Sequence, residues 1–358
     1  MNDATDGAAL LQLAQSGDSR AFDELAANYR PELRAHCYRM LGSVHDAEDA
    51  LQDAMLRAWK GLPGFTGRGT VRAWLYSIAT NTALDVATHR SRRELPVDFG
   101  PSAGPGAELD PPTNEVAWLE PYPDQWLVAE AAEYGASAPE ARYEQRESVE
   151  LAFIVALQRL PPLQRAVLLL REVVGLSTAE IAAQLQTTPQ SVNSALQRAR
   201  ASVRDQQPAM NQQAVLRELG EQRVRALAER YADAIERADI QTLISMLTED
   251  ASWSMPPMPT WFQGHEAVRD FLVRFPLRRS WRHRTSRANG QLAVGGYLYD
   301  EEKAAFIPWV IDVLTLRDGK ISAVTAFFGA EGVGPAHNAG WIPGADLFAR
   351  FGLPAAVD

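Results

Sequence analysis

Between Asp46 and Trp59 the chain reads DAEDALQDAMLRAW, with acids at spacings that gather them on one side of a helix. Ala47, Ala50, Leu51, Ala54 and Ala58 recur every three or four residues and form an apolar stripe. Asp46, Asp49 and Asp53 then line an outward face, with Gln52 beside them and Glu48 and Trp59 in the same segment. Such a face is either an ordinary solvated helix surface or a docking surface for a partner. A second set mixes aromatics with cations: Arg68, Arg72, Trp74, Tyr76, Asn81, Arg90, Arg92 and Arg93. That mixture suits single-stranded DNA, because every base has a stacking face and every phosphate a charge, although some of the aromatics are expected in a core. A third set, Gln190, Ser191, Asn193, Ser194, Gln197, Arg198 and Arg200, combines short polar side chains that read base edges with arginines that hold phosphates. A fourth, Trp253, Trp261, His283, Trp309 and Asp312, has the composition of a pocket lining. His283 and Asp312 are also the kind of polar groups a core buries and satisfies, and no second acid or nucleophile stands at a telling spacing. No catalytic residue and no metal ligand is therefore assigned.

These side chains need elements to hold them. A first all-helical domain begins at Ala9–Ser16, with Asp18 or Ser19 capping a helix that continues from Ala21 to Leu41 and turns Phe22, Leu25, Ala26, Tyr29 and Leu33 inward. Gly42-Ser43 breaks it before the acidic helix. A glycine-rich loop, Gly61 to Gly69, precedes a helix from Val71 to about His89 that ends in Arg90, Arg92 and Arg93. A second domain has helices at Glu150–Leu160, after Pro161-Pro162, and at Thr178–Leu185. Ser177 and Glu180 form a capping box there. Thr188 caps a last helix with Pro189 at its first position, where the missing amide costs nothing. On it Val192, Ala195, Leu196, Ala199 and Val203 point one way and the third set the other.

Residues 94–145 differ in kind. Prolines and glycines (Pro96, Pro101, Gly104, Pro105, Gly106, Pro111 and Pro112) and a large excess of acids predict an extended linker. In its middle, WLEPYPDQW (Trp118 to Trp126) is too aromatic for a passive spacer and is expected to dock on something. Beyond a connector at 207–220, helices at Val224–Arg237, Ile240–Leu247 and Glu266–Phe275 alternate with strand-like runs at Ala251–Met255, Trp281–Ala288, Leu292–Tyr299, Ala304–Leu316 and Lys320–Phe328. Asp318-Gly319 is a hairpin signal. Helices followed by a curved antiparallel sheet predict an α+β cone.

DAED with Gln52 and Trp59 resembles the polymerase-binding helix of the extracytoplasmic-function sigma factors of bacterial RNA polymerase. WLEPYPDQW resembles the linker motif of their long, SigG-like branch. RYADAIERADIQTLISMLTEDASW, followed by GHEAVRDFL, looks like the SnoaL-like branch of the NTF2-like fold. The resemblance implies a multidomain fold: two all-α sigma domains, one a helical bundle and one a helix-turn-helix, plus a C-terminal cone. It implies core polymerase, through its β′ clamp helices, and promoter DNA as partners. The second set would then melt and read the −10 element, and the third would read the −35 element. Asn81 and Asp85 fit that pattern, whereas Thr80 and His89 stand where arginines are common. The resembled linker threads through polymerase near the RNA path, and the resembled long branch uses its extension in place of a separate anti-sigma protein. Divided accordingly, the chain has a polymerase and −10 domain at 10–93, the linker at 94–145, a −35 domain at 146–206, the connector at 207–220, the cone at 221–335 and a tail at 336–358.

Composition bounds the rest. A chain of 358 residues needs two or three cores, and 46% hydrophobic residues are enough to fill them. Cys37 is the only cysteine, which excludes an internal disulfide and a cysteine-based metal cluster. No apolar run spans a bilayer and no signal pattern opens the chain, so a cytoplasmic protein without membrane or cofactor is expected. The net charge of −10 argues against nucleic acid only until the charges are located. Two other classes stay open: a stand-alone helix-turn-helix regulator with a pocket for a small ligand, and a SnoaL-type enzyme with accessory helices. A repressor of duplex DNA has no use for the acidic helix or the aromatic–arginine helix, which favours a sigma factor regulated in cis by its C-terminal domain.

Overall fold

The computed structural model describes residues 3–67, 69–113, 115–127, 146–204, 211–329 and 344–357. They fall into two compact units, one of Met1–Arg92 with Trp126–Gln207 and one of Arg93–Gln125 with Pro208–Asp358.

The first unit is helical throughout. Its N-terminal half holds α1 (Asp3–Gln15), α2 (Ser19–Ala27), α3 (Arg30–Leu41), α4 (Val44–Gly61) and α5 (Val71–His89). The helix expected across Ala21–Leu41 is two helices, because Pro31 in the first turn of α3 has no N–H to continue α2. Gly42, at φ 68°, ends α3, and Ser43 Oγ accepts from the Asp46 amide to start α4. Leu33, Cys37, Met40, Ala47 and Ala54 are fully sequestered, and burial pushes the Cys37 thiol up to about 12.

The other half holds α6 (Leu151–Gln158), α7 (Pro162–Glu172), α8 (Thr178–Gln184) and α9 (Pro189–Arg204). The Ser177–Glu180 capping box is formed, and Thr188 Oγ1 accepts from the Ser191 amide at 3.1 Å to open α9. The two halves interlock. Buried Arg165 on α7 donates to Gln158 Oε1 at 2.8 Å, to the Gln158 and Leu160 carbonyls at 3.0 and 3.1 Å, and to the Met40 carbonyl on α3. Arg39 on α3 donates to Ser148 Oγ at 2.7 Å, and Gln184 on α8 donates to the Ala73 carbonyl of α5 at 2.9 Å.

The second unit is built on a six-stranded sheet of β1 (Leu247–Ser254), β2 (Trp261–Gln263), β3 (Trp281–Ala288), β4 (Gln291–Asp300), β5 (Ala305–Arg317) and β6 (Lys320–Phe328). The order is β2-β1-β6-β5-β4-β3, antiparallel except for the β1–β6 pair. Asp318 and Gly319, at φ 52° and 72°, make the turn between β5 and β6. Helices α10 (Gln212–Leu219), α11 (Glu221–Glu236), α12 (Ile240–Met246) and α13 (Gly264–Arg274) belong to this unit, and α14 (Gly344–Arg350) packs on β5. The connector read at 207–220 is thus partly structure. Gln212 on α10 exchanges hydrogen bonds with the Leu316 backbone at 2.9 and 2.7 Å, and Gln213 donates to the Gly290 carbonyl at 2.5 Å. Strand β2 and helices α10 and α14 have no counterpart in the pattern read from sequence.

Candidate functional site

Helix α4 sorts its acids by depth. Asp49, Gln52 and Asp53 are exposed and Glu48 is half-buried. Asp46 is a correction: it is buried and ion-paired to Arg90, because the position falls in the first turn where α4 meets the end of α5. Asp46 is therefore not presented as an open contact, whereas the Arg90 side chain stays exposed beside it. Trp59 is half-buried against Phe22, with ring centroids 5.3 Å apart. Leu56, 52% exposed, extends the stripe 49, 52, 53, 56. Sequence reasoning passed over it, although its seven-residue spacing from Asp49 was a usable signal.

Helix α5 retains fewer outward groups than its composition suggests. Tyr76 is buried and donates to Glu32 Oε2 at 3.0 Å. Arg72 donates to the same carboxylate at 2.8 Å and lies over the Tyr76 ring at 4.9 Å. Both are corrections to the DNA-contact set, since α3 supplies a buried acid that the α5 sequence does not reveal. Burial, then Glu32, raises the Tyr76 hydroxyl well above its usual value. His36 shares a 2.9 Å hydrogen bond with Thr80 Oγ1, and burial, helped by Arg39 and Arg72, lowers it to about 3. Trp74 is half-buried on Phe65 at 5.1 Å, and Asn81 and Arg92 are exposed. Arg93 belongs to the second unit, where it donates to the Trp118 carbonyl at 2.6 Å and pairs with Glu120 at 3.3 Å, a further correction. Arg68 lies outside the described residues.

Helix α9 presents the face expected of it. Gln190, Ser191, Asn193, Gln197, Arg198 and Arg200 are exposed, Ser194 is half-buried, and Val192, Ala195, Leu196, Ala199 and Val203 are buried. Arg200 is paired with Glu172 across an exposed bridge.

The second unit contains a cavity of about 610 Å³ lined mainly by apolar and aromatic side chains. Trp253, His283, Trp309 and Asp312 line it as expected. Trp261 does not: its Nε1 donates to the Gly100 carbonyl at 2.9 Å, because strand β2 faces the linker. Asp312 Oδ2 accepts from Tyr231 at 2.8 Å, and burial raises the acid to about 6 against the opposing Tyr231 bond and the nearby His283. His283 donates its backbone amide to Glu236 Oε1 at 2.7 Å, and its Nδ1 stands 3.5 Å from the same oxygen. Burial would raise the Glu236 carboxyl, but the His283 hydrogen bonds and charge and Arg282 outweigh it, so the net direction is down.

The linker residues of this unit are seated on the sheet domain. Tyr122 is fully buried, and its amide and carbonyl pair with Asn289 Oδ1 and amide, each at 2.8 Å. Asp124 accepts from the Gly290 amide at 2.7 Å, and Trp118 Nε1 donates to the Thr113 carbonyl at 2.8 Å. Trp126 parts company with them. It belongs to the helical unit, with the Arg34 guanidinium 4.6 Å from its ring.

Residues 25–93 match the Sigma-70 region 2 family model, residues 150–203 the Sigma-70 region 4 model, and residues 228–324 the SnoaL-like domain model. The chain is 40% identical over 333 residues to the ECF RNA polymerase sigma factor SigG of Mycobacterium tuberculosis, an alignment covering 92% of this chain and 83% of that one. It is 30% identical over 194 residues to the RNA polymerase sigma-H factor of Pseudomonas aeruginosa, covering 54% of this chain and 90% of the other. The crystal structure of the Mycobacterium tuberculosis extracytoplasmic function sigma factor SigJ matches with a TM-score of 0.53 at 22% identity, over 87% of this chain and 97% of that chain. At that identity the likeness is one of fold.

Proposed function

The chain belongs to the extracytoplasmic-function RNA polymerase sigma factors, and we propose that its C-terminal unit regulates initiation in cis by holding the interdomain linker. As a sigma factor it is a transcription-initiation protein rather than an enzyme, with core polymerase and promoter DNA as partners. In this reading Asp49, Gln52, Asp53 and Leu56 dock on the β′ clamp helices. Trp74, Asn81 and Arg92 engage the −10 strand, and the outward face of α9 reads the −35 element. The reading puts the protein in the cytoplasm with polymerase. Among the described residues no helix is long and apolar enough to cross a membrane.

The observation that carries the regulatory part is the seated linker, with Tyr122 buried and bonded both ways to Asn289. Its importance follows from distance. Elements about 25 base pairs apart lie roughly 85 Å apart along B-DNA at ~3.4 Å per step. A compact unit the size of the helical one is only about 40 Å across. The interlocked halves, joined through Arg165, Arg39 and Gln184, must therefore separate to reach both elements, and the linker must pay out as they do. A linker anchored on the C-terminal unit opposes that extension. The cavity beside it supports a small ligand as the signal.

Two measurements on the full chain test the reading. Asp49→Lys with Asp53→Lys should abolish capture of core polymerase while leaving the fold intact, since exposed charges contribute little to stability. Asn289→Ala, which unseats Tyr122, should change run-off transcription several-fold. Equal transcript yield from the variant and the parent would refute control through the linker.

A further inference from the structure

One wall of the cavity comes from outside the cone. Leu109, which lines it, belongs to the interdomain linker. Around Leu109 the linker is strapped down by its own backbone. The amides of Ala103, Gly106, Asp110 and Thr113 donate to the Trp261 carbonyl (2.8 Å), Asp270 Oδ2 (2.7 Å), Thr260 Oγ1 (2.8 Å) and the Pro257 carbonyl (3.1 Å). Thr260 Oγ1 also donates to Asp110 Oδ2 at 2.8 Å. Arg274, itself a lining residue, donates to the Ala107 carbonyl at 2.7 Å and pairs with Glu108 and Asp270. The cavity and the strap therefore share Leu109, and Arg274 joins them.

The lining defines what the cavity takes. Trp253, Trp281, Trp309 and Phe271 supply flat apolar walls. Asp312 is the carboxyl among them. Its Oδ2 is taken by Tyr231, and Oδ1 receives no other hydrogen bond among the described residues. Arg274 is committed to the strap, so its charge is already answered by Glu108 and Asp270. Arg278 and Arg279 also line the cavity and are exposed, whereas at the buried Asp312 a second carboxylate would meet like charge and a hydroxyl or N–H meets an open acceptor.

We propose that the cavity binds a largely apolar ring compound carrying one hydroxyl or N–H for Asp312, and that the strap from Ala103 to Thr113 is its lid. The inference rests on the reading of the C-terminal unit as a regulator in cis. A ligand packed on Leu109 binds the seated strap better than the released one, so ligand and strap stabilise each other by the same factor. The ligand thereby holds the linker down, and loss of the ligand frees it.

The test uses the full-length protein without polymerase and the fluorescent probe N-phenyl-1-naphthylamine, a neutral ring compound with one N–H. Binding is read by energy transfer from the cavity tryptophans, and strap seating by hydrogen exchange at the four donor amides. The probe should bind, and Ala326→Phe, which fills the cavity, should abolish binding. Saturating probe should slow exchange at the strap amides about fivefold. Thr260→Val removes two strap bonds from a residue outside the lining, and should weaken probe binding about threefold to tenfold by reciprocity. Absence of binding, or binding that survives Ala326→Phe, overturns the ligand class. Binding with unchanged strap exchange, or unchanged affinity in Thr260→Val, overturns the lid. Run-off transcription without probe tests the sigma reading separately, so the two failures are distinguishable.

Discussion

Each unit buries a carboxylate beside a tyrosine and a histidine, and the two arrangements differ in whether the acid is answered. In the helical unit Glu32 receives Arg72 through two nitrogens and the Tyr76 hydroxyl, with His36 held neutral against the Tyr76 ring. In the C-terminal unit Asp312 receives, among the described residues, only Tyr231 and faces a cavity, while His283 turns to Glu236. Charge pairing keeps the first cluster closed and structural. Burial without a cation leaves the second acid raised to about 6 and available to a ligand. A carboxylate, a tyrosine and a histidine thus serve opposite ends, and the difference is one arginine.

The comparison breaks most visibly at Glu32. Glu32→Ala leaves Arg72 and the Tyr76 hydroxyl without their acceptor and should lower the stability of the helical unit by about 3 kcal/mol, read by urea unfolding. The pH dependences should then run in opposite directions. His36 falls from 6.5 to about 3 on folding, so the unfolded chain takes up a proton that the folded unit refuses. Its contribution is intact above 6.5 and is lost as pH falls toward 3, with a slope of about 1.4 kcal/mol per pH unit. Asp312 rises from 3.8 to about 6, so the folded unit keeps a proton that the unfolded chain releases. Its contribution is full below 3.8 and is lost as pH rises through about 6. Hydrogen exchange resolved by unit, in the parent against His36→Gln and Asp312→Asn, separates the two slopes. Parallel slopes would end the contrast.

Smaller effects sharpen it. At pH 7.5, Asp312→Asn removes a buried charge while keeping an acceptor for Tyr231, and should stabilise the C-terminal unit by about 1–2 kcal/mol in thermal unfolding. Tyr231→Phe should cost about 1 kcal/mol and raise the Asp312 carboxyl further, seen as a shift of its titration by NMR. Least affected is the outward face: Asp49→Lys with Asp53→Lys should leave stability within about 0.5 kcal/mol of the parent.

Local sequence determined much of this protein. Helix α9 and its caps follow from Thr188, Pro189 and an apolar period, and the exposed face is the polar one. The hairpin at Asp318-Gly319 and strands β3 and β6 follow from alternation and turn residues, because each depends on neighbours in the chain. The cavity set was legible as far as residue type goes, and four of its five members converge. Only tertiary structure decided which charges face solvent. Asp46 and Asp49 look alike on a helical wheel, and Arg90, 44 residues away, separates them. Arg72 and Tyr76 read as DNA contacts until Glu32 on another helix engages both. The linker shows the same limit. Prolines and acids exclude a long helix or strand from Pro96 to Pro112, but an extended chain carries unpaired amides, and what pairs those of Asp110 and Ala103 lies 150 and 158 residues on, at Thr260 and Trp261. Local propensity sets the backbone's conformation, whereas long-range partners determine what each polar group meets, and function here rests on the second.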